Sequence, residues 1–150
     1  MSNRCLREMM GHSLAQTCKL LRIRAHGMLD QINLYRGQQF VLGVLWEQEG
    51  ITHSELAEAL HVQPSTVTNA LKRMEKAGLV ERRHDSHDAR VSRVYLTEAG
   101  RAIRGAVEEM WRALDTQAFR GFSAEEKETL DRMLTRIQEN LLQKDVNECK

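Results

Sequence analysis

The chain has 150 residues, 41% of them hydrophobic and 29% charged, with a formal net charge of +1. This length suits one domain with its own core, and no run of about 18 apolar residues predicts a membrane span. Three cysteines without CxxC spacing argue against a disulfide scaffold or a zinc ribbon and predict a reducing, cytoplasmic location. The N-terminus lacks the basic and apolar regions of a secretory signal, so export is not expected.

A long helix with one apolar face is the first predicted element. Its apolar positions recur at intervals of four and three residues, the spacing of a helix seam. These positions are Leu14, Cys18, Leu21, Ala25, Met28 and Ile32. Gly37 is the predicted stop signal. The seam either pairs with a second copy of the chain or folds back onto its own core.

The middle of the chain predicts three helices and two strands. The segment 38–49 is nearly all apolar, which indicates a central core helix ended by Gly50. A capping box of Thr52 and Glu55 begins the next helix. A short connection then leads to Pro64, which suits the first turn of a helix, and Gly78 is its predicted left-handed cap. The stretches "LVERR" and "RVSRVYLT" predict two antiparallel strands around a polar loop.

Two more helices are predicted at the C-terminal end, begun by Thr97 and by a capping box of Ser123 and Glu126. The predicted packing face of the first comprises Ala99, Ile103, Ala106, Met110, Leu114 and Ala118. That of the second comprises Leu130, Leu134, Ile137 and Leu141. The polar tail after Gln143 is expected to fray.

Two short helices joined by a tight turn and followed by a two-stranded ribbon predict a winged helix-turn-helix. The predicted fold class is mainly α with a small β-wing, flanked by long N- and C-terminal helices. Residues 1–36 are predicted to form an N-terminal dimerisation helix, residues 37–98 the DNA-binding domain and residues 99–150 the C-terminal dimerisation helices. Such a dimer would place two helices in successive major grooves of a near-palindromic site.

The second short helix carries the residue types that read double-stranded DNA. Its first turns hold hydroxyl and amide groups that can bond to base edges, and its later turns hold cations that can reach phosphates or a guanine. Between residues 64 and 93, seven basic side chains stand against four acidic ones, a net charge of +3. A solvated charged face and ordinary local capping are the alternatives. The adjoining turn and basic ribbon favour DNA binding.

The wing sequence, D-x-R followed by L-T-x-x-G, resembles the signature of the MarR family of transcription regulators. It comprises Asp88, Arg90, Leu96, Thr97 and Gly100. The resemblance implies a homodimeric regulator, usually a repressor and often released by a small ligand. It implies that Arg90 enters the minor groove and that Asp88 pairs with an arginine to fix the wing.

The candidate DNA-binding residues, taken together, are Gln63, Pro64, Ser65, Thr66, Thr68, Asn69, Lys72, Arg73, Asp88 and Arg90. Gln63 departs from the family pattern, in which Ser or Asp is common at this position. It is a poor N-cap residue, and a role facing DNA is the alternative.

An effector site is expected where the long helices meet the winged module. A small anionic or aromatic ligand fits its candidate residues, which are His12, Gln16, Lys19, Arg22, Trp46 and Trp111. The alternatives are aromatic residues that belong to the core and cations that are merely solvated. No metal or cofactor is expected, because His84 and His87 have too few potential ligands nearby.

Competing hypotheses concern the cysteines and the class of protein. Cys18 lies on the apolar seam, so a buried small hydrophobe is favoured over a redox sensor, although some family members sense peroxide through an N-terminal cysteine. Cys5 and Cys149 fall in the predicted tails.

A winged helix that binds proteins instead of DNA is a further alternative. No phosphate-binding glycine loop, nucleophile elbow or metal-ligand spacing indicates an enzyme.

Overall fold

The computed structural model describes residues 9–143, so Cys5, Cys149 and the tail after Gln143 lie outside the described residues. The elements in chain order are α1 (Met10–Gln31), α2 (Gln38–Glu47), β1 (Ile51–Thr52), α3 (His53–Ala59), α4 (Pro64–Lys76), β2 (Val80–His84), β3 (Ser92–Leu96), α5 (Glu98–Ala102), α6 (Arg104–Ala118) and α7 (Ala124–Leu142). The predicted fold class, mainly helical with a small wing, is confirmed. None of the helices between residues 9 and 143 is both long and apolar enough to cross a membrane.

Helix α1 ends earlier than predicted. Asn33 adopts a left-handed conformation with φ 56°, and the N–H of Leu34 donates to the carbonyl of Leu29 at 3.0 Å. This is the hydrogen bond of a Schellman motif, and asparagine tolerates the conformation that the motif requires. The prediction of Gly37 as the stop signal is therefore wrong. Gly37 is instead the left-handed residue that precedes α2.

The core lies where α2, α3 and α4 meet the sheet. Leu42, Leu45, Leu56, Leu71 and Val94 are at most 1% exposed and belong to one apolar cluster. Full burial of such a side chain stabilises the fold by about 1.5–3 kcal/mol. The helix-turn-helix and the wing are thus built on a common core, which fixes their mutual arrangement.

The sheet has three antiparallel strands in the order β1-β3-β2, whereas the sequence predicts two. The additional strand β1 has only two residues, and Ile51 pairs with Val94 of β3. Val80 of β2 pairs with Leu96 of β3, so β2 and β3 form the predicted antiparallel hairpin of the wing. A two-residue strand shows no alternating pattern, so only its partner in the tertiary structure reveals it.

The predicted capping boxes and the signals at both ends of α4 are confirmed, whereas α2 ends at Glu47, before the predicted stop at Gly50. Thr52 and Glu55 form the predicted capping box, Pro64 occupies the first turn of α4, and Ser123 begins α7 with its own capping box. Gly78 has φ 71°, and the N–H of the following residue donates to the carbonyl of Met74. The latter contact completes a Schellman motif at the end of α4.

The helix after Thr97 is split into α5 and α6 at Ile103, and its buried face differs from the predicted one. Ala99, Ala106 and Ala118 are exposed. The buried positions are Gly100, Val107, Met110 and Leu114. Met110 and Leu114 are buried as predicted, whereas Val107 takes the place of the predicted alanines because it buries more apolar surface.

The seam predicted for α1 is buried only near its C-terminal end. Ala25 is buried, Leu21 is 38% exposed, and Cys18 is exposed. The preference for a buried Cys18 is therefore wrong for the described chain, because no core side chain covers that part of the helix. In α7 no residue is buried.

Two compact units divide the chain, one ending at Leu114 and the other beginning at Asp115. The first contains the helix-turn-helix and the wing. The second contains α7 and an edge-to-face pair of Phe119 and Phe122 with ring centroids 5.7 Å apart. The predicted segments 1–36, 37–98 and 99–150 stay a prediction.

Candidate DNA-binding surface

Helix α4 has a buried face and an exposed polar face. Val67, Leu71 and Met74 are at most 1% exposed and anchor the helix to the core. The side chains on the outer face are exposed, with short polar groups in the first two turns and cations behind them. They are Ser65, Thr66, Asn69, Lys72, Arg73 and Lys76. The helix thus presents hydrogen-bonding groups and positive charge on one surface, as a major-groove probe requires.

Thr68 differs from the other candidates on this helix. Its hydroxyl donates to the carbonyl of Pro64 at 3.0 Å, and its oxygen lies 2.9 Å from Nε2 of His53. The side chain is half-buried at the contact with α3. A threonine hydroxyl has a single proton to donate, so these contacts favour the local structural role over base reading.

Gln63 immediately precedes α4 with extended backbone angles and makes no side-chain capping bond. Its carbonyl accepts the N–H of Thr66 at 3.0 Å. The side chain is exposed beside the first turn of the helix. A capping role is therefore absent, and a role facing DNA stays a prediction.

The wing loop is organised by Asp85. Its Oδ1 accepts the backbone N–H of His87 at 2.7 Å, and its Oδ2 accepts the Nε–H of Arg93. Arg93 also donates to the carbonyl of Gly50 at 2.8 Å, which ties the wing to the start of β1. The bond from Arg93, followed by that from His87, lowers the pKa of Asp85 to about 2.

The residue that pairs with an arginine is therefore Asp85, and the assignment of this role to Asp88 is wrong. Asp88 accepts the backbone N–H of Arg90 at 2.9 Å and so shapes the turn. The reason is positional, since Asp85 follows β2 directly and lies beside Arg93 on the paired strand. Arg90 itself is exposed at the loop.

A bidentate ion pair connects the wing to α4. Nε and Nη2 of Arg82 donate to the two carboxylate oxygens of Glu75 at 2.8 and 2.7 Å. Two parallel bonds fix the direction of both side chains as well as their distance. The pair was not predicted, because it joins different elements seven residues apart and has no local sequence signal.

The L-T-x-x-G segment makes a second connection between these elements. The hydroxyl of Thr97 donates to the carbonyl of Gly78 and accepts the N–H of Gly100 at 3.1 Å. A Cβ on Gly100 would lie 2.1 Å from the carbonyl oxygen of Leu79. Thr97 and Gly100 thus hold the junction between α4 and the wing.

Four cations of this surface make no ion pair among the described residues. They are Lys72, Arg73, Lys76 and Arg90. Arg82, Arg83 and Arg93 are instead paired with carboxylates. Lys76 was not among the predicted site residues, although its spacing of four residues from Lys72 places both on one helix face. The unpaired cations are those available to phosphate.

A cavity of about 280 Å³ lies between α1, α2 and α6. Of the six predicted ligand-binding residues, Arg22 and Trp111 line it. The remaining lining residues are Leu21, Ala25, His26, Leu29, Arg36, Gly37, Gln39 and Phe40. The ring centroids of Phe40 and Trp111 lie 6.2 Å apart, and the two ring planes are inclined at 49°.

The other predicted ligand residues lie elsewhere. His12, Gln16 and Lys19 belong to the part of α1 that precedes the cavity. Trp46 donates its Nε1–H to the carbonyl of Gly100 at 2.9 Å, so it has a structural role. These four residues do not line this cavity, whose lining on α1 runs from Leu21 to Leu29. Clusters of three or more metal-ligating side chains are not found among residues 9–143.

Comparison with known proteins connects this geometry to a family. A model described as the MarR family matches residues 34–92, from the connection before α2 to the start of β3. The transcriptional regulator HosA of Escherichia coli O157:H7 is 31% identical over 105 residues, which are 70% of this chain and 78% of HosA. The chain belongs to the MarR family.

Other MarR-type relatives extend the comparison. An uncharacterized HTH-type transcriptional regulator of Bacillus subtilis, YybA, is 29% identical over 73% of both chains. A crystal structure of a MarR variant from E. coli complexed with operator DNA is 25% identical, with a TM-score of 0.79 over 85% of this chain and 92% of that chain. The protein is accordingly a winged-helix, DNA-binding transcriptional regulator of the MarR type.

Proposed function

We propose that the protein is a homodimeric repressor that acts by binding operator DNA in the cytoplasm, rather than by catalysis. Helix α4 enters the major groove, and Arg90 of the wing enters the adjacent minor groove. The observation that carries this proposal is the exposed face of α4, where base-reading groups precede cations that have no carboxylate partner among the described residues. Since the major groove is about 12 Å wide, it admits one such helix.

Within this proposal, the candidate residues have different roles. Ser65, Thr66 and Asn69 read base edges, while Lys72 and Lys76 contact phosphates. Gln63 and Pro64 begin the helix at the edge of the groove. Thr68 and Asp88 support the surface through their bonds to Pro64 and Arg90 without contacting bases.

A test of this assignment measures binding to a duplex selected from random-sequence DNA by the wild-type protein. Arg90→Ala should weaken binding by about 1–3 kcal/mol and reduce the salt dependence, because one contact with the DNA is lost. Arg132→Ala is the matched control, since it removes the same charge from α7 in the other compact unit. Equal affinity of the Arg90→Ala protein and the control would contradict the wing assignment.

Dimerisation is proposed from exposed apolar side chains on the terminal helices. On α1, Leu20 and Ile23 are 64% and 59% exposed. On α7, Met133 and Leu141 are 51% and 78% exposed. Large apolar side chains in such number on a monomer mark an interaction surface. Sedimentation at micromolar concentration should give twice the mass of the chain, and a monomer would contradict the proposal.

The cavity between α1, α2 and α6 is the proposed effector site. Its aromatic walls, Phe40 and Trp111, together with the cations Arg22 and Arg36, suit a small aromatic carboxylate. An effector that binds there should lower operator affinity, and Arg22→Ala should reduce that effect. Titration with benzoate derivatives, followed by tryptophan fluorescence in a Trp46→Phe background and by operator binding, tests this proposal. An effector response that is unchanged in the Arg22→Ala protein would exclude this cavity.

The exposure of Cys18 favours a second candidate function, a repressor that senses hydroperoxide. Oxidation of an accessible thiolate gives a sulfenic acid, which changes the polarity of the helix face. Hydroperoxide should then release the wild-type protein from DNA and leave the Cys18→Ser variant bound. Equal release of both proteins would remove this candidate.

A further inference from the structure

The single arginine of α4 is stacked on an aromatic ring. Cζ of Arg73 lies 4.8 Å from the centroid of the Tyr35 ring. Tyr35 belongs to the connection between α1 and α2, and its side chain is 55% exposed. Since more than half of its surface is exposed, burial of the ring does not account for its contact with Arg73.

The connection that carries Tyr35 is held by two buried side chains. The N–H of Tyr35 donates to Oε1 of Gln38 at 2.9 Å, and the N–H of Gly37 donates to Oε1 of Gln39 at 2.9 Å. Both glutamines are at most 6% exposed, and the neighbouring Leu34 is 2% exposed. Because a buried amide needs partners, these bonds fix the loop backbone and therefore the origin of the tyrosine ring.

Stacking on a ring restricts a guanidinium group without using its donors. The ring lies against Cζ of the Arg73 guanidinium, and a guanidinium held by a ring face keeps its N–H donors available for a bidentate contact. Lys72 and Lys76 are flexible point charges on the same helix, and no aromatic ring lies over either of them among the described residues. Arg73 is thus the cation of α4 whose orientation is set before DNA arrives, which lowers the entropy cost of a contact.

We propose that Tyr35 is a positioning residue that presents Arg73 to operator DNA. The proposal rests on the insertion of α4 into the major groove. It assigns a role in DNA binding to a residue outside the helix-turn-helix and the wing. It also explains why the loop before α2 is anchored by two buried glutamines.

A double-mutant cycle tests the proposal on the duplex that the wild-type protein selects from random-sequence DNA. Tyr35→Ala should weaken binding about two- to fivefold, the range expected for an exposed cation–π contact. Tyr35→Phe keeps the ring and should bind as the wild type does. In the Arg73→Ala background, Tyr35→Ala should cause no further loss, since the group that it orients is gone.

Each other outcome has a definite meaning. An equal loss for Tyr35→Ala in both backgrounds would overturn the proposal, because the tyrosine would then act without Arg73. Unchanged binding of Tyr35→Ala would overturn it as well. Thermal unfolding of each variant separates a loss of fold from a loss of orientation, and a Tyr35→Ala protein that binds weakly only because it has begun to unfold would count against the positioning role. A wild-type protein that enriches no duplex would contradict the proposed function itself, whereas the other failures leave that function standing.

Discussion

Replacement of Gly100 by alanine tests whether the junction between α4 and the wing is as tightly packed as the structure indicates. The new methyl group would lie 2.1 Å from the carbonyl oxygen of Leu79, while real Cβ atoms essentially never approach another atom within 3.0 Å. That carbonyl is fixed, because it accepts the N–H of Thr97 at 3.1 Å. The carbonyl of Gly100 is fixed in turn by the indole of Trp46. The overlap must therefore be relieved by moving backbone.

The expected magnitude follows from two opposing effects. Overpacking of a fixed site costs about 1–3 kcal/mol, and an overlap with backbone places Gly100→Ala toward the upper end of this range. The alanine gains about 1 kcal/mol of helix propensity over glycine. The net loss in the free energy of unfolding should be about 1–2 kcal/mol. For a chain of this length, that loss lowers the melting temperature by about 2–8 °C.

Gly105→Ala is the matched control. Gly105 lies in α6, and a Cβ added there meets no atom within 4 Å. This variant should gain up to about 1 kcal/mol, so the two substitutions should differ in sign. Urea unfolding at one fixed protein concentration measures both, since dimerisation would make the stability depend on concentration. A Gly100→Ala protein as stable as the Gly105→Ala protein would refute the packing argument.

Two further predictions concern the wing. The carboxyl of Asp85 should titrate at about 2 rather than at the ordinary 3.8, because Arg93 donates to it. Its contribution to stability is therefore complete above pH 3.8 and is lost as the pH falls through about 2, as carboxyl NMR shifts can show; a midpoint at 3.8 would mean that the pair does not form. Thr97→Ala should cost about 1 kcal/mol in urea unfolding because a helix cap is lost, and Thr97→Ser, which keeps the hydroxyl, should restore most of it. A Thr97→Ala protein with wild-type stability would contradict this role of the hydroxyl.

Local signals in the sequence predict most of the helix boundaries. Thr52 and Ser123 begin helices, and Pro64 and Gly78 bracket the helix proposed to enter the major groove. Each signal acts through backbone groups only a few residues away, so the residues that decide where a helix begins or ends lie within a short stretch of the sequence. The left-handed Asn33 was missed because Gly37, a stronger candidate by residue type, lies four positions later.

The features that sequence did not predict depend on contacts between distant segments. Strand β1 is defined by its pairing with β3, more than 40 residues later. The stack of Arg73 on Tyr35 joins α4 to a loop that lies before α2. The choice between Asp85 and Asp88 as the partner of Arg93 depends on strand register, and a shift in register changes which side chains meet.

The strongest sequence signature of the chain marks a junction more than a contact with DNA. Thr97 and Gly100 bond to or pack against Gly78 and Leu79, where α4 ends and the wing begins. We expect a substitution there to change the angle between α4 and the wing, because these contacts join the two elements. This part of the signature therefore indicates how the surface is held together. Operator preference must depend on side chains outside that junction, which explains how one fold can carry different specificities.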